Sequence, residues 1–218
     1  MTLRKRLFVE FLGTCGLLIV VVGSGIMGET LSQGNAAITL LANSLATGAG
    51  LYTLIQCFGP ISGAHFNPAV SFTEFLWKKI SIKDFALYSL FQIVGGIVGV
   101  LLTHIMFGQA IFQLSENNRG DFRFFISEVI ATSGLILVIA FSGKRNVEAT
   151  PLAVSLYIMS AYWCTSSTSF ANPAVTIARS LTNTFSGILW TGVFGFIIAQ
   201  TFGALVAYIL AKKIEKAV

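Results

Sequence analysis

The chain has 218 residues, of which 55% are hydrophobic and 11% are charged, and its net charge is +5. Its mean hydropathy is +0.80. A soluble domain carries about 25% charged residues, so this chain has too few charges to cover a water-facing surface. The composition therefore predicts a polytopic membrane protein, and the positive charge needs no nucleic-acid partner to explain it.

Six apolar segments approach the roughly 20 residues that an α-helix needs to cross the hydrocarbon layer. The first is too long for a signal peptide and contains Glu10, so we expect it to remain in the protein as a span. The fifth runs into the polar stretch CTSSTS and has the weakest pattern. In chain order, the predicted spans are 7–27, 36–57, 84–107, 122–142, 150–167 and 188–210.

The basic residues predict how these spans are oriented. Six spans put both termini on one side, and a cytoplasmic position for the termini leaves only Arg119, Arg123 and Arg179 on or near the outer side. The positive-inside rule then favours a cell-membrane protein with both termini cytoplasmic. The eleven basic residues on the cytoplasmic side are Arg4, Lys5, Arg6, Lys78, Lys79, Lys83, Lys144, Arg145, Lys212, Lys213 and Lys216.

Three sequence blocks occur twice in the same order, which indicates a duplication. VEFLGTCGLLIVVVGSG aligns with SEVIATSGLILVIAFSG, NPAVSF with NPAVTI, and FQIVGGIVG with AQTFGALVA. The repeats cover approximately 5–110 and 122–214 of a single domain, 1–218. Each repeat contains three spans, and an odd number inverts the second copy in the membrane.

The repeated Asn-Pro-Ala motif predicts two half-helices that begin at the membrane centre. Asn is a favoured N-cap, and Pro is favoured at the first helical position. The apolar stretch after each motif is too short to span, so the two N-termini meet at the midplane with their Asn amides facing a pathway. A turn that merely recurs is the alternative, and two copies at equivalent points argue against it. The motif residues are Asn67, Pro68, Ala69, Asn172, Pro173 and Ala174.

Together with this double motif, EFLGT, SGAHFNPAV and Gln92 followed by two glycines resemble the major intrinsic protein family of aquaporins and aquaglyceroporins. The resemblance implies an all-α membrane protein: an aquaporin-like right-handed bundle of six transmembrane helices with two re-entrant half-helices in an inverted repeat. It also implies a homotetramer with one pore per subunit, and a passive channel for small uncharged solutes that excludes protons and ions. It implies no enzymatic activity, cofactor or metal site.

Family members have an outer constriction, or selectivity filter, formed by four positions. The residue after the second Asn-Pro-Ala is usually Arg, and here it is Val175, which offers neither charge nor donors. The resemblance assigns Thr47 and Ser169 to two further positions. The last position is Tyr162 if the helix is aligned from its proline, or Ser160 if it is counted back from the second motif. We favour Tyr162 because that helix alignment has no gap.

The small side chains at this constriction predict a pore wider than that of water-selective members. With Val at position 175, the sequence resembles a bacterial subgroup that is associated with arsenic-resistance gene clusters. That resemblance implies a bacterial inner-membrane location and solutes such as water, glycerol-like polyols and metalloid acids, including arsenite as As(OH)3.

Two charged or titratable residues are candidates for the vestibules. His65 precedes the first motif and is expected to line the inner vestibule. Arg179 lies four residues beyond Val175, on the same helix face. It is either a relocated charge in the outer vestibule or a cation that stabilises the C-terminus of the half-helix by binding loop carbonyls. Its repeat counterpart, Glu74, has the same two interpretations.

Glu10 and Glu128 lie inside predicted spans, where an ionisable residue suggests function. We favour a structural role, in which each carboxylate accepts N–H groups of a re-entrant loop. The alternative is a proton-coupled secondary transporter that uses both acids as relays. A membrane enzyme is disfavoured by the lack of a nucleophile–base pair, and a junction-type protein would show negligible flux. The three cysteines have neither disulfide nor metal-ligand spacing.

Overall fold

The computed structural model describes residues 1–145 and 147–217, and it confirms the predicted all-helical fold. Six longer helices and two short ones alternate as the inverted repeat requires, with one 3-10 turn, Val147–Ala149, before α6. The side chain of Arg145, one of the basic residues counted above, lies outside the described part. The helices are α1 (Leu3–Leu31), α2 (Ala36–Ser62), α3 (Pro68–Leu76), α4 (Ile82–Met106), α5 (Phe122–Arg145), α6 (Thr150–Cys164), α7 (Pro173–Arg179) and α8 (Trp190–Ala217).

Five of the described helices, α1, α2, α4, α5 and α8, are long and apolar enough to cross a membrane. Helix α6 has 15 residues and ends at Cys164, so the predicted boundary at 167 was three residues too far. The hydroxyl-rich segment explains the early end, because Ser and Thr side chains compete for backbone groups. The Thr165 hydroxyl donates to the Ala161 carbonyl at 2.7 Å.

Contacts between helix ends show that both chain termini lie at one face of the bundle. Arg6, at the start of α1, pairs with Asp84, at the start of α4, at 3.4 Å. Lys144, near the end of α5, pairs with Glu215, near the end of α8. The ring centre of Trp77, between α3 and α4, lies 6.0 Å from that of Tyr208 in α8, which brings both groups of helix ends to one side. We call this side the termini face and the other side the opposite face. Helix α3 runs from the centre towards the termini face, and α7 runs towards the opposite face.

The two repeats are each held together by a glycine that allows two helices to approach closely. A Cβ on Gly95 of α4 would lie 2.3 Å from the Phe11 carbonyl oxygen of α1. A Cβ on Gly203 of α8 would lie 2.6 Å from the Val129 carbonyl oxygen of α5. Small residues at helix contacts are typical of membrane bundles. The α1–α4 and α5–α8 pairs therefore pack in equivalent ways in the two halves.

Candidate functional site

Each half-helix begins at the Asn of its motif. Asn67 is the N-cap of α3, and its side-chain oxygen accepts the Ala69 N–H at 2.8 Å. Asn172 is the N-cap of α7, and its oxygen accepts the N–H groups of Ala174 and Val175 at 3.0 and 3.2 Å. Pro follows at the first helical position in both helices. The predicted helix starts are confirmed, and each Asn oxygen is occupied by its own helix.

The two Asn amides also bind each other's loops across the centre of the protein. Asn67 Nδ2 donates to the Ala171 carbonyl at 2.7 Å, and Asn172 Nδ2 donates to the Phe66 carbonyl at 2.8 Å. The accepting residue in each case directly precedes the other Asn. A side-chain amide has two N–H donors, so one N–H of each Asn is left for a solute.

The loops in front of the two half-helices share an unusual backbone. Ala64 and Phe66 have φ angles of 49° and 48°, and their repeat counterparts Ser169 and Ala171 have φ angles of 50° and 48°. L-residues seldom adopt this left-handed region, and each instance costs on the order of 1–3 kcal/mol. The strain occurs at the same two places in each repeat, so other contacts must hold the loops.

Glu10 holds the first of these loops, because all its contacts bind the segment before α3 or the helix beside it. One carboxylate oxygen accepts from the Ser62 hydroxyl at 2.6 Å and from the His65 N–H at 3.0 Å. The other accepts from the Phe66 N–H at 2.7 Å and from Gln92 Nε2 at 2.8 Å. The buried carboxylate therefore has four donors.

Glu128 holds the second loop in the same way. Its oxygens accept the N–H groups of Phe170 and Ala171 at 2.9 and 2.8 Å, and Gln200 Nε2 donates to it at 2.6 Å. Both acids are fully buried behind the loops rather than on the wall of the pathway. Charge-assisted bonds of this kind stabilise the strained loop backbone.

A single cavity of about 260 Å³ runs past both half-helix starts. Polar side chains, such as Asn67 and Asn172, line it together with apolar ones, such as Leu17 and Ile158. Pro68, Ala69, Pro173 and Ala174 are buried in the first turns of α3 and α7 rather than on this wall. The predicted residues that do line the cavity are Thr47, His65, Asn67, Tyr162, Ser169, Asn172, Val175 and Arg179.

The four residues assigned to the constriction, which we call the filter cluster, come together in this cavity. The Thr47 and Tyr162 hydroxyls lie 3.2 Å apart, which links α2 to α6. Ser169 Oγ is buried without a partner among the described residues, and Val175 is 5% exposed. The alternative residue, Ser160, is exposed, and its hydroxyl donates to the Tyr157 carbonyl at 2.7 Å.

Arg179 lies in the last turn of α7, buried and beside the filter cluster. Its Nε donates to the Ser186 carbonyl of the following loop. Its guanidinium carbon lies 3.4 Å from the centre of the Phe170 ring. The residue therefore both binds a loop carbonyl and lines the cavity, so the two interpretations of the sequence are compatible. Its counterpart Glu74 also lines the cavity and pairs with Lys79 at 3.0 Å.

At the termini-face half of the cavity, His65 occupies the position that Phe170 has in the other repeat. Its Nδ1 lies 2.9 Å from Ser71 Oγ, which also accepts from Gln92 Nε2 at 3.0 Å. No group of three or more His, Cys, Asp or Glu side chains in the described ranges could hold a metal ion. Cys15 is buried, and Cys57 and Cys164 are exposed.

Sequence reasoning missed two residues beside the filter cluster. Arg119, in the α4–α5 connection, donates to the Gly187 and Ser167 carbonyls at 3.1 and 3.0 Å and lies over the Phe170 ring at 5.3 Å. Nothing in the sequence signals this, because the loop has no counterpart in the other repeat. Phe170 could have been found as the counterpart of His65.

Comparisons with known proteins give a consistent result. A family model described as "Major intrinsic protein" matches residues 1–159. The aquaglyceroporin AqpS of Rhizobium meliloti (strain 1021) is 45% identical over 210 residues, which is 96% of this chain and 90% of AqpS. Aquaporin-5 of Rattus norvegicus is 30% identical over 94% of this chain and 79% of its own length.

A solved structure agrees with these sequence relatives. The X-ray structure of the aquaglyceroporin from Plasmodium falciparum superposes with a TM-score of 0.76 and covers 98% of this chain and 97% of its own. The two sequences are 20% identical, so the superposition shows the shared fold and leaves the solutes open.

Proposed function

Because the chain belongs to the major intrinsic protein family, whose members are membrane channels and not enzymes, we propose that it conducts small uncharged solutes passively and excludes protons and ions. The observation that carries this proposal is the pair of reciprocal Asn amides. Asn67 and Asn172 each use one N–H to bind the opposite loop and keep one for the cavity between them. A solute oxygen that passes this point can bind both free donors.

The same geometry provides a reason for proton and cation exclusion. Helices α3 and α7 meet at their N-termini, so the positive ends of both helix dipoles point at the centre of the cavity. A water molecule there accepts hydrogen bonds from the Asn amides and cannot also accept from a water on each side. A proton wire would be interrupted, and a cation would be repelled.

The small side chains of the filter cluster favour a solute larger than water. Val175 replaces a long charged side chain with a short apolar one, and Thr47 and Ser169 are also small. The relative AqpS is named an aquaglyceroporin, which favours glycerol-like polyols. We extend the proposal to neutral metalloid acids such as As(OH)3, because they have similar size and hydroxyl groups.

Glu10 and Glu128 are assigned a structural role in this proposal. Each carboxylate is fully buried and occupied by donors from the loop and a neighbouring glutamine. A proton relay would have to break these contacts and let the strained loop relax. These contacts count against the proton-coupled transporter, which is the alternative that the flux experiment must exclude.

The protein is a multi-pass membrane protein, and its placement follows from the charges. We assign the termini face to the cytoplasm and the opposite face to the outside of a cell membrane, a bacterial inner membrane if the subgroup resemblance holds. Homotetramer assembly is taken from the family resemblance, and the whole chain forms one channel domain.

A stopped-flow series tests the proposal. Proteoliposomes should equilibrate faster than empty liposomes in gradients of water, glycerol, urea and arsenous acid, without a proton current. The order of these solutes defines the substrate class. Rates equal to those of empty liposomes for every solute, or a rapid proton leak, would contradict the channel mechanism.

A further inference from the structure

Two arginines flank one aromatic ring at the outer end of the cavity. The guanidinium carbons of Arg179 and Arg119 lie 3.4 and 5.3 Å from the centre of the Phe170 ring. The four ion pairs between described residues include neither arginine. Glu29 shares a surface pocket with Arg119 but does not pair with it. Two cations therefore lie close together without an ion-paired carboxylate, and the buried Glu128, which binds the Phe170 N–H, is already occupied by donors from the loop and Gln200.

Backbone carbonyls hold these cations and leave some of their donors free. Arg179 uses Nε for the Ser186 carbonyl, and Arg119 uses Nε and one terminal nitrogen for the Gly187 and Ser167 carbonyls. No described residue binds either terminal nitrogen of Arg179 or the second one of Arg119. Arg179 is 2% exposed and lines the pore cavity, so its fixed donors are held close to whatever enters.

A third donor points to a ligand at the same place. Ser169 Oγ is buried, lines the same cavity and has no partner among the described residues. A buried hydroxyl without a partner is destabilising, and a bound oxygen would remove that cost. Arg179 and Ser169 therefore both present unused donors to the outer half of the cavity.

We propose that Arg179, Arg119 and Ser169 form an anion-binding site at the outer end of the pore, and that its ligand is a small monovalent oxyanion. This inference rests on the proposed channel for its position. A planar guanidinium binds two oxygens of one ligand with parallel hydrogen bonds. Arg119, in the outer pocket, raises the local anion concentration, and Arg179 binds the anion in the cavity.

A bound anion occupies the route that neutral solutes take. External oxyanions therefore inhibit neutral-solute flux with saturation, and the inhibition weakens at high ionic strength because the attraction is screened. Cations have no such site, so they should not inhibit neutral-solute flux.

Nitrate is a suitable probe, and its binding can be measured without any flux. The purified full chain is unfolded by heat in detergent, in a series of buffers in which nitrate replaces gluconate at constant ionic strength. A specific site raises the unfolding midpoint with saturation, because the ligand binds only the folded state. Arg179→Gln removes a charge-assisted bond to the anion, and Arg119→Gln removes the charge that concentrates the anion beside it, so the apparent nitrate affinity should fall by about tenfold or more in each variant.

Arg123 provides the matched control. It also lies over a phenylalanine, Phe124, at 4.8 Å, but it is exposed and paired with Asp121 at 3.2 Å. Arg123→Gln should leave the nitrate response unchanged. A response that does not saturate, or that survives in both Arg179→Gln and Arg119→Gln, overturns the site. Arg119 is only partly buried, so we expect Arg119→Gln to fold. It can decide the test if Arg179→Gln does not fold.

The flux arm separates this inference from the proposed function. Nitrate should reduce glycerol flux in the unchanged protein and in Arg123→Gln, and should lose this effect in Arg119→Gln. Saturable nitrate binding in a protein without solute flux would support the site and contradict the channel. Normal glycerol flux that nitrate does not inhibit, in a protein whose unfolding midpoint nitrate does not raise, would contradict the site alone.

Discussion

Val175 is the residue whose replacement tests the outer constriction most directly. It lines the cavity together with Thr47 and is 5% exposed. Val175→Arg should narrow the pore, and the helix should tolerate the change because Arg is a good helix former. Glycerol permeability should then fall far more than water permeability in stopped-flow assays. Thr47→Phe should act in the same direction, and the double variant should approach water selectivity.

Val175→Leu is the control for size without charge, and its effect on glycerol should be smaller. Unchanged glycerol flux in Val175→Arg would place the size limit elsewhere, with Tyr162 as the first candidate. Loss of water flux in a folded Val175→Arg protein would mean that the pore is already narrow beside Arg179.

Glu10→Gln distinguishes a loop anchor from a proton relay. A glutamine keeps one acceptor oxygen but turns an amide donor towards the donors of Phe66 and Gln92. We expect the free energy of unfolding to fall by about 1–3 kcal/mol, seen as a lower thermal midpoint in detergent. Glu29→Gln, at an exposed site on the same helix, should have little effect. Unchanged stability together with lost solute flux would favour the relay.

At the scale of elements, the half-helices are coupled through their caps. Asn172→Ala removes the N-cap of α7, which costs about 1 kcal/mol, and also removes the bond to the Phe66 carbonyl. Solute flux should fall and proton leak should rise. Asn35→Ala removes a similar cap, of α2, with bonds of 3.1 and 3.2 Å to Ala37 and Ile38 outside the cavity. It should change stability without changing selectivity.

If Asn172→Ala kept both its flux and its ion exclusion, the centre of the cavity would not be a constriction. In that case the pairing of the two loops would serve folding alone, and the filter cluster would carry all the selectivity.

Helix packing makes a second prediction at this scale, about Gly203. Gly203→Ala would place a methyl group 2.6 Å from the Val129 carbonyl oxygen, so α5 and α8 would have to separate. Gly195→Ala on the same helix meets nothing within 4 Å and should be neutral or slightly stabilising. We expect a lower thermal midpoint in detergent for Gly203→Ala alone. Equal midpoints for the two variants would show that the helix contact is not tight.

Elements with a clear periodicity or cap could be predicted from the sequence. The apolar runs, the Asn-Pro helix starts and the duplicated blocks depend on local rules, and the structure has helices at each of those places. The end of α6 was wrong because hydroxyl side chains, rather than apolar length, ended the helix.

Contacts between distant segments could not be predicted in this way. The bond from Asn67 to Ala171 joins residues 104 positions apart, and Ala171 has a left-handed φ of 48° that its residue type does not signal. The position of Arg119 over Phe170 depends on how a loop without repeat symmetry crosses the bundle. Neither arrangement has a local signal in the residues that make it.

For the whole molecule, the features that the two repeats share and those in which they differ have different consequences. The two loops have the same backbone and the same glutamate anchors, so the centre of the pathway is nearly symmetric. The ends differ, because His65 stands in one repeat where Phe170 and its arginines stand in the other. We therefore expect passage at the centre to depend on the shared geometry, and recognition of solutes and ions to depend on the outer end.

The last prediction separates a rigid pore from a transporter in which one repeat rocks against the other. Both repeats meet through bonds between Asn67, Asn172 and the opposite loops, and rocking would break them in every cycle. We therefore expect glycerol flux in proteoliposomes to rise linearly with the gradient and to be the same with and without an imposed proton gradient. Glu128→Gln should leave that indifference intact in any protein that folds. Saturating flux that reverses with the proton gradient would instead establish coupled transport and give Glu10 and Glu128 the relay role.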